Sequence, residues 1–452
     1  MRKLAYTLLP WALALGVITT VGVARWRGAQ APPRPDPVEL LGSLGAPVSS
    51  SEGLAERVQQ LEQRLKVNAE DTGARIALAE VLLRQARVTG NAALTARAKD
   101  HLDNALRVDP GDYDASRMLG VVLLSLHRFD EAIAAGQRAR SLRPDDPWNY
   151  GVIGDGQLEL GRYDEAFASF QRMMDLRPSA ASYARASYAL ELQGRLDEAL
   201  DSMQKAVNAT SPRDAEGLAW AIVHVGDLLA KQGRLPEAET HYQLAHRVFP
   251  DHPFATIARA RVAAARGETV RAIELARTVL DRSPSMAIAA FVGDLYAKEG
   301  HAADAERYYR TAEAIAGESK STDEPFAGFL AERGRRLDDA VRLAEQVAMT
   351  RQDIKSLDAL AWALFKVGRI ADAQIASEKA LRTGTRERKI VLHAATIAAA
   401  ANDRARMRQL VERAAPADPE FDVLMAKDVA AAMAAATGAG PSASALMAGG
   451  VR

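Results

Sequence analysis

Residue types that commonly carry catalysis occur in this chain without a recognisable arrangement. There is no cysteine among the 452 residues, so disulfides, thiolate metal ligands and cysteine nucleophiles are excluded. Ser202 and Lys205 have the Ser-x-x-Lys spacing of serine acyl-enzymes, but the motifs that accompany it in those enzymes are missing. The histidines form no His-Glu-x-x-His pair and lie at positions 101, 127, 224, 241, 246, 252, 301 and 393. We predict no catalytic residue, metal or cofactor; an enzyme with an undetected site is the alternative.

The composition is that of a folded protein without a strong electrostatic bias. Hydrophobic residues make up 48% and charged residues 26% of the chain, and 58 basic side chains balance 58 acidic ones. The basic footprint that neutralises many phosphates is therefore missing, and we predict no nucleic-acid partner. Ala, Glu, Lys, Leu and Arg favour helix because they lose little side-chain entropy in that conformation.

The sequence contains repeated segments, and these define the structural elements that would position any functional side chain. Similar segments read GRYDEA at 161–166, GRLDEA at 194–199, GRLPEA at 233–238 and GRIADA at 368–373. Their glycines belong to a series at positions 161, 194, 233, 267, 300, 334 and 368. A period near 34 residues is typical of a repeat architecture rather than of one compact domain. Residues three and four apart share one helical face, so each period predicts two amphipathic helices joined at the glycine.

One period resembles the tetratricopeptide-repeat (TPR) motif through Tyr150, Ile153, Gly154, Gly161, Ala166, Phe170 and Pro178. The resemblance implies an all-α protein, a right-handed superhelical solenoid of stacked antiparallel helix pairs. About ten repeats would span residues 71–415. Such stacking predicts contacts between neighbouring repeats. Gly154 and Gly156 followed by Gly161 superficially suggest a dinucleotide-binding loop, but Gly154 and Gly161 are already explained as repeat positions.

The regions outside the array have different compositions. Residues 1–28 are predicted to be a signal-anchor or signal peptide, and residues 29–51 a linker rich in Pro, Gly and Ser. Residues 52–70 predict an entry helix through the spacing of their apolar side chains. Residues 416–452 predict a capping helix over Asp422–Ala436 followed by a flexible tail.

The N-terminal segment predicts contact with a membrane. Leu4 to Ala24 is an uncharged apolar run that is long enough to span a bilayer at about 1.5 Å per residue. The resemblance is to TPR proteins of the bacterial envelope, which implies a single-pass protein of the cell inner membrane with a periplasmic or otherwise extracytoplasmic repeat body. Cleavage after a signal peptide and release into the periplasm is the alternative.

In the TPR family, the first helices of the repeats line a concave face through their second, fifth, ninth and twelfth positions. The resemblance assigns to this face a mixture of aromatic and charged residues that is suited to binding protein, because large rigid aromatic side chains anchor interfaces. The predicted groove residues are Arg117, Trp148, Asp155, Tyr188, Glu191, Trp220, Asp227, Phe254, Arg261, Asp294, Trp362 and Phe365.

The predicted function is that of a membrane-tethered scaffold or adaptor for protein–protein interactions, whose protein or peptide clients lie in the groove. The alternative is an assembly factor that holds an exported client. That alternative depends on residues 58–83, which resemble the entry segment of membrane-anchored repeat proteins of cytochrome c maturation.

Overall fold

The computed structural model describes residues 51–317, 323–417 and 423, and within them all regular structure is helical. They belong to one compact unit. An all-α fold is thereby confirmed. The predicted signal segment at 1–28 and nearly all of the linker at 29–51 lie outside the described residues.

The described residues form a leading helix followed by ten helix pairs. The bounds are α1 Ser51–Val67, α2 Thr72–Thr89, α3 Ala92–Val108, α4 Tyr113–Ser125, α5 Phe129–Leu142, α6 Pro147–Glu159, α7 Tyr163–Leu176, α8 Ala180–Leu192, α9 Leu196–Ala209 and α10 Ala215–Lys231. They continue with α11 Leu235–Val248, α12 Pro253–Ala265, α13 Thr269–Arg282, α14 Met286–Lys298, α15 Ala302–Gly317, α16 Asp323–Glu332, α17 Leu337–Ala348, α18 Ile354–Lys366, α19 Ile370–Ala380, α20 Arg388–Ala400 and α21 Arg404–Arg413. Even-numbered helices from α2 onwards are the first helices of the pairs, and the odd-numbered helices that follow are the second.

Capping side chains decide where many first helices begin. The Asp112 carboxylate accepts the N–H of Ala115 at 2.8 Å, and the Asp353 carboxylate accepts the N–H of Ser356 at 3.0 Å. Each carboxylate satisfies a backbone donor that has no partner inside the helix, which typically stabilises a helix by about 1 kcal/mol.

The repeated Gly-Arg sequences mark the junction between the two helices of a pair. Gly161 and Gly267 have φ angles of 74° and 79°, in the left-handed region that L side chains disfavour. After the glycine at 194, Arg195 pairs with Glu198 in the first turn of α9 at 2.5 Å, which explains the recurring acid three residues after the arginine. The first junction uses Gly90, and the second and last use His127 and Asn402, with φ angles of 68°, 56° and 63°. The glycine series that begins at 161 missed all three.

Each first helix is packed tightly on its second helix through a small residue opposite a large one. A Cβ placed on Gly154 would lie 2.5 Å from Cε1 of Phe170, and one placed on Gly293 would lie 2.5 Å from Cε1 of Tyr309. No side chain fits at these glycines without displacing the ring. The small and large residues of the motif recur because they set the separation of the paired helices.

Distant repeats also touch, in addition to the predicted contacts between neighbouring repeats. The N–H of Ile354 donates to the hydroxyl of Tyr163 at 2.8 Å, although the two residues are 191 positions apart. Arg351 pairs with Glu159 at 3.1 Å, and Arg87 of α2 pairs with Glu216 of α10 at 2.8 Å. The repeats wind far enough for the junction after α6 to meet the loop before α18.

This contact predicts unequal effects of the same substitution at two junctions. Gly267→Ala meets open space, so it should lose only the left-handed penalty of about 1–2 kcal/mol. Gly161→Ala adds a clash with the backbone of Gln352, whose N–H donates to Leu160, and should lose about 1 kcal/mol more for each disrupted hydrogen bond. Urea denaturation of both variants measures the difference. Equal losses would show that the contact does not stabilise the fold.

No helix in residues 51–317 and 323–417 is long and apolar enough to cross a membrane. The predicted span, Leu4–Ala24, lies outside the described residues, as do the predicted capping helix, apart from Val423, and the tail.

Candidate functional site

A cavity of about 560 Å³ lies on the first helices of consecutive pairs. Five of the predicted groove residues line it, from α6, α8 and α10: Asp155, Tyr188, Glu191, Trp220 and Asp227. The repeat places them one helix apart at corresponding positions, which is why side chains from three different repeats meet around one space. We call this space the α6–α10 cavity.

The α6–α10 cavity has an apolar part beneath its aromatic side chains. Phe170 and Met203, from the second helices α7 and α9, are each 4% exposed and reach the cavity between the first helices. Leu158 and Leu228 complete this surface, while Tyr188 and Trp220 are half-buried. A partner side chain that enters here exchanges water for apolar contact, at roughly 25 cal/mol per Å² buried.

Carboxylates around the cavity are paired with neighbouring groups. Both carboxylate oxygens of Asp155 accept hydrogen bonds from Arg185, at 2.5 and 2.9 Å, and Glu191 pairs with Lys231. Asp227 accepts the hydroxyl of Tyr242 at 2.9 Å. The rim therefore has fixed positions of both signs rather than one dominant charge, an arrangement that contributes more to the choice of partner than to its affinity.

Lys355 enters the cavity from α18, and the sequence analysis missed it. Its Nζ lies 5.9 Å from the centre of the Tyr188 ring. Lys355 lowers the pKa of the Tyr188 phenol while burial and Glu191 raise it, and the net shift is upward, so the phenol stays neutral at ordinary pH. Burial also raises the pKa of Glu159, against the opposing effect of Arg351. Lys355 occupies the second position of its repeat, like Trp220. Because the second position is one of the predicted groove positions, the repeat register could have identified Lys355.

Four predicted groove residues lie on first helices but do not line this cavity. Arg117 of α4 stands over the ring of Trp148 of α6, with its guanidinium carbon 5.2 Å from the ring centre. Phe254, on α12, is 50% exposed, and Arg261 is on the same helix. These residues extend the polar and aromatic surface to repeats on both sides of the cavity.

Three predicted groove residues are buried, which corrects their assignment to a binding surface. Trp362 is 2% exposed and stacks on His393, with ring centres 3.9 Å apart and planes inclined by 10°. Phe365 is 8% exposed and stacks on Trp362 at 4.9 Å. The Asp294 side chain is 2% exposed and pairs with Arg333 at 2.6 Å. Helix position predicted one shared face for these residues, but contacts with other side chains cover them.

The Ser-x-x-Lys pair has a structural explanation. The Ser202 hydroxyl donates to the carbonyl of Tyr183 at 2.9 Å, and Lys205 pairs with Asp201 at 2.8 Å. Across the residues that the structure describes, no three side chains of the His, Asp and Glu types are grouped so that they could hold a metal ion.

Residues 92–147, 152–215 and 226–287 match the family model of the tetratricopeptide repeat. The match shows tetratricopeptide repeats in these three stretches, which lie within the predicted array at 71–415.

Solved structures with a related arrangement have low sequence identity to this chain. Human IFIT1, in a dimer with PPP-AAAA, is 18% identical over 72% of this chain and 77% of its own, with a TM-score of 0.47. TTC0263 of Thermus thermophilus, a thermophilic TPR protein, is 21% identical over 43% of this chain and 98% of its own, with a TM-score of 0.36. PilF of Pseudomonas aeruginosa is 15% identical over 47% and 94%, with a TM-score of 0.38. No curated protein matches the chain.

Proposed function

We propose that this protein is a protein-interaction scaffold that holds an extended or helical segment of a client in the α6–α10 cavity. The observation that carries the proposal is the combination of Tyr188 and Trp220, half-buried above an apolar surface, with a rim of paired charges. Aromatic side chains of this kind bury large areas at a small cost in side-chain entropy and often anchor interfaces.

The chemistry of the cavity indicates the kind of client. An apolar or aromatic anchor residue fits between Tyr188 and Trp220, and charged residues on either side of the anchor meet the Asp155–Arg185 and Glu191–Lys231 pairs. Four carboxylates and three cations line the cavity, so it lacks the excess of positive charge that binding a phosphate backbone requires; they are Asp155, Glu159, Glu191, Asp227, Arg185, Lys231 and Lys355. A peptide segment is therefore favoured over a nucleic acid.

The binding test uses peptides selected from a random display library on the intact protein. Peptides that are enriched should bind the double variant Tyr188→Ala with Trp220→Ala at least about 30-fold more weakly, because buried aromatic anchors typically contribute about 2 kcal/mol or more. Fluorescence anisotropy measures each dissociation constant. The matched control is Tyr308→Ala, a half-buried aromatic of the second helix α15 outside the cavity, which should leave binding unchanged.

Two results would contradict the proposal. One is equal binding of the selected peptides to the parent and to a folded double variant. The other is tighter binding of a single-stranded RNA oligomer than of any selected peptide, which would favour a nucleic-acid function.

We further propose that the scaffold is tethered to the inner membrane through Leu4–Ala24, with its repeats outside the cytoplasm. The support is the length and lack of charge of that run. We expect alkaline carbonate to leave the protein in the membrane fraction and protease added outside the inner membrane to digest the repeats. Recovery of a soluble chain that begins near Arg25 would show cleavage instead.

The alternative role, an assembly factor, predicts a different duration of contact with the client. A general adaptor stays bound to its client at steady state, whereas an assembly factor is associated only with an immature client. Crosslinking in intact cells, followed by identification of the partner's maturation state, distinguishes the two roles.

A further inference from the structure

The chain beyond the last helix returns across earlier repeats. After α21 ends at Arg413, Ala414 and Ala415 are 8% and 1% exposed. The N–H of Ala415 donates to the carbonyl of Arg386 at 2.8 Å, and Arg388 donates to the carbonyl of Ala415 at 3.1 Å. These contacts hold the start of the C-terminal segment against the loop before α20.

Pro416 reaches a junction five repeats earlier in the chain. Its Cβ and Cγ lie 3.7 Å from the position that a Cβ on Gly233, between α10 and α11, would take. Pro416 also shares the lining of a cavity of about 340 Å³ with Gly194, Gln232 and Arg386. Within a few residues the chain has therefore passed from the tenth helix pair to the fourth and fifth.

Val423 shows where the segment continues. It is 7% exposed and belongs to an apolar cluster with Ile257 and Ala264 of α12 and Phe291 and Leu295 of α14. Seven residues from Pro416 span at most about 25 Å, which sets the reach of this connection. We call the surface of α12 and α14 that contributes to this cluster the α12–α14 wall.

The α12–α14 wall includes positions that belong to the predicted groove. Ile257 and Ala264 occupy the fifth and twelfth positions of α12, which the repeat register assigns to the concave face, and they are 3% and 1% exposed. Helix α12 also packs against α10, which lines the α6–α10 cavity. A client that extends from the cavity along the first helices next meets this wall.

The sequence around Val423 is suited to such a surface. Met425, Val429 and Met433 are spaced by four residues, a pattern that predicts one face of a helix, and the surrounding residues are mostly alanine. Residues 418–428 contain four acidic side chains and one lysine, whereas α12 and α14 together contain three basic side chains, Arg259, Arg261 and Lys298, and one acid, Asp294. Of the basic side chains, Arg259 also contacts Glu239 of α11. Apolar pattern and charge are both complementary to the wall.

We propose that residues 416–436 are an intramolecular ligand of the α12–α14 wall and compete with any client that extends beyond the cavity. The competition between this segment and a client rests on the proposed function, whereas the docking of the segment on the wall does not. A tethered segment binds at an effective concentration that reaches the millimolar range for short connections. A client must therefore displace it or be confined to the α6–α10 cavity.

The first experiment measures the docking in the full chain. Because the protein contains no cysteine, Val270→Cys on α13, which is 73% exposed, and Met433→Cys accept spin labels at these two positions alone. The distance between the two labels should have a narrow distribution when Val423 is present and a broad one after Val423→Lys. The matched control Val451→Lys should keep the distribution narrow.

A broad distribution in the labelled chain that retains Val423 would overturn the proposal. A narrow distance distribution that disappears on dilution with unlabelled chain would also overturn it, since the segment would then dock on a second copy.

The second experiment adds the segment in trans. A synthetic peptide of residues 416–436 should bind the Val423→Lys chain at least tenfold more tightly than the parent chain, where the tethered segment occupies the wall. Equal binding to the two chains, or no binding to either, would overturn the proposal.

A display-selected peptide separates this inference from the proposed function. If its affinity falls in the double variant at Tyr188 and Trp220 but is unchanged by Val423→Lys, the cavity binds clients and the competition is refuted. If no selected peptide binds, the proposed function fails, while the distances and the binding in trans still decide whether the segment docks.

Discussion

Replacing Trp362 with Ala should lower the free energy of unfolding by about 3–5 kcal/mol, the usual cost of truncating a buried tryptophan. The side chain is 2% exposed, lies face to face with His393 at 3.9 Å and stacks on Phe365 at 4.9 Å. Truncation leaves a cavity among α18 and α20 that the surrounding helices cannot fill without moving. Urea denaturation followed by far-ultraviolet circular dichroism measures the loss.

Trp220→Ala is the matched control for that substitution. Trp220 lies on a first helix as Trp362 does, but it is half-buried and lines the α6–α10 cavity. It should lose less stability than Trp362→Ala and more affinity for selected peptides. A stable Trp362→Ala variant with weakened peptide binding would contradict the structural role given to Trp362 and restore it to the groove.

Replacing Arg333 with Met should cost about 3–5 kcal/mol of stability at neutral pH, because it leaves the buried Asp294 carboxylate without its cation and Glu332 with Lys389 alone. Arg333 is 9% exposed, contacts both oxygens of Asp294 at 2.6 and 2.9 Å and pairs with Glu332 at 3.1 Å. The Asp294 side chain is 2% exposed and the Glu332 side chain 11% exposed, so water does little to compensate the loss. Denaturation at pH 8 measures the effect.

The pH dependence of the same variant gives a second measure. Burial raises the pKa of Asp294 and Arg333 opposes that effect; for Glu332, burial is outweighed by Lys389 and Arg333, which lower its pKa to about 2. In the parent, the stabilisation from Glu332 is present above its ordinary pKa of 4.5 and is lost as pH falls towards 2. Without Arg333 both folded-state pKa values rise, so the folded variant takes up protons more readily than the unfolded chain.

The deficit of Arg333→Met relative to the parent should therefore shrink between pH 8 and pH 5. A deficit independent of pH would assign the effect to packing rather than to charge. Arg336→Met is the control, because Arg336 and its partner Asp339 form a solvent-exposed pair three residues apart, and such pairs contribute little to stability.

Much of the architecture was predictable because it depends on short-range sequence. A junction glycine with positive φ, an acid three residues after the following arginine and a small residue opposite an aromatic one are each set within one repeat. Together they determine the helix pairs independently of contacts with distant parts of the chain. The same register placed Asp155, Tyr188 and Trp220 around one cavity, since corresponding positions on successive first helices must lie side by side.

The same local rules fail where exposure depends on what lies across the solenoid. Trp220 and Trp362 are both tryptophans on the predicted concave face, yet His393 of α20 covers one while the other lines a cavity. Likewise, Asp294 occupies the ninth position of its repeat like Asp155, but Arg333, 39 positions later, encloses it in a buried ion pair.

The sequence by itself determined the class of fold, the repeat register and the shared face of Asp155, Tyr188 and Trp220, because these follow from periodicity over a few residues. Only the tertiary structure decided which of those positions remain open, that Lys355 joins the cavity, and that Val423 lies against α12 and α14. The physical reason is the accumulated rotation of the stacked pairs. A small turn at each repeat, summed over many repeats, brings Tyr163 to Ile354 across 191 positions, and no local pattern specifies that sum.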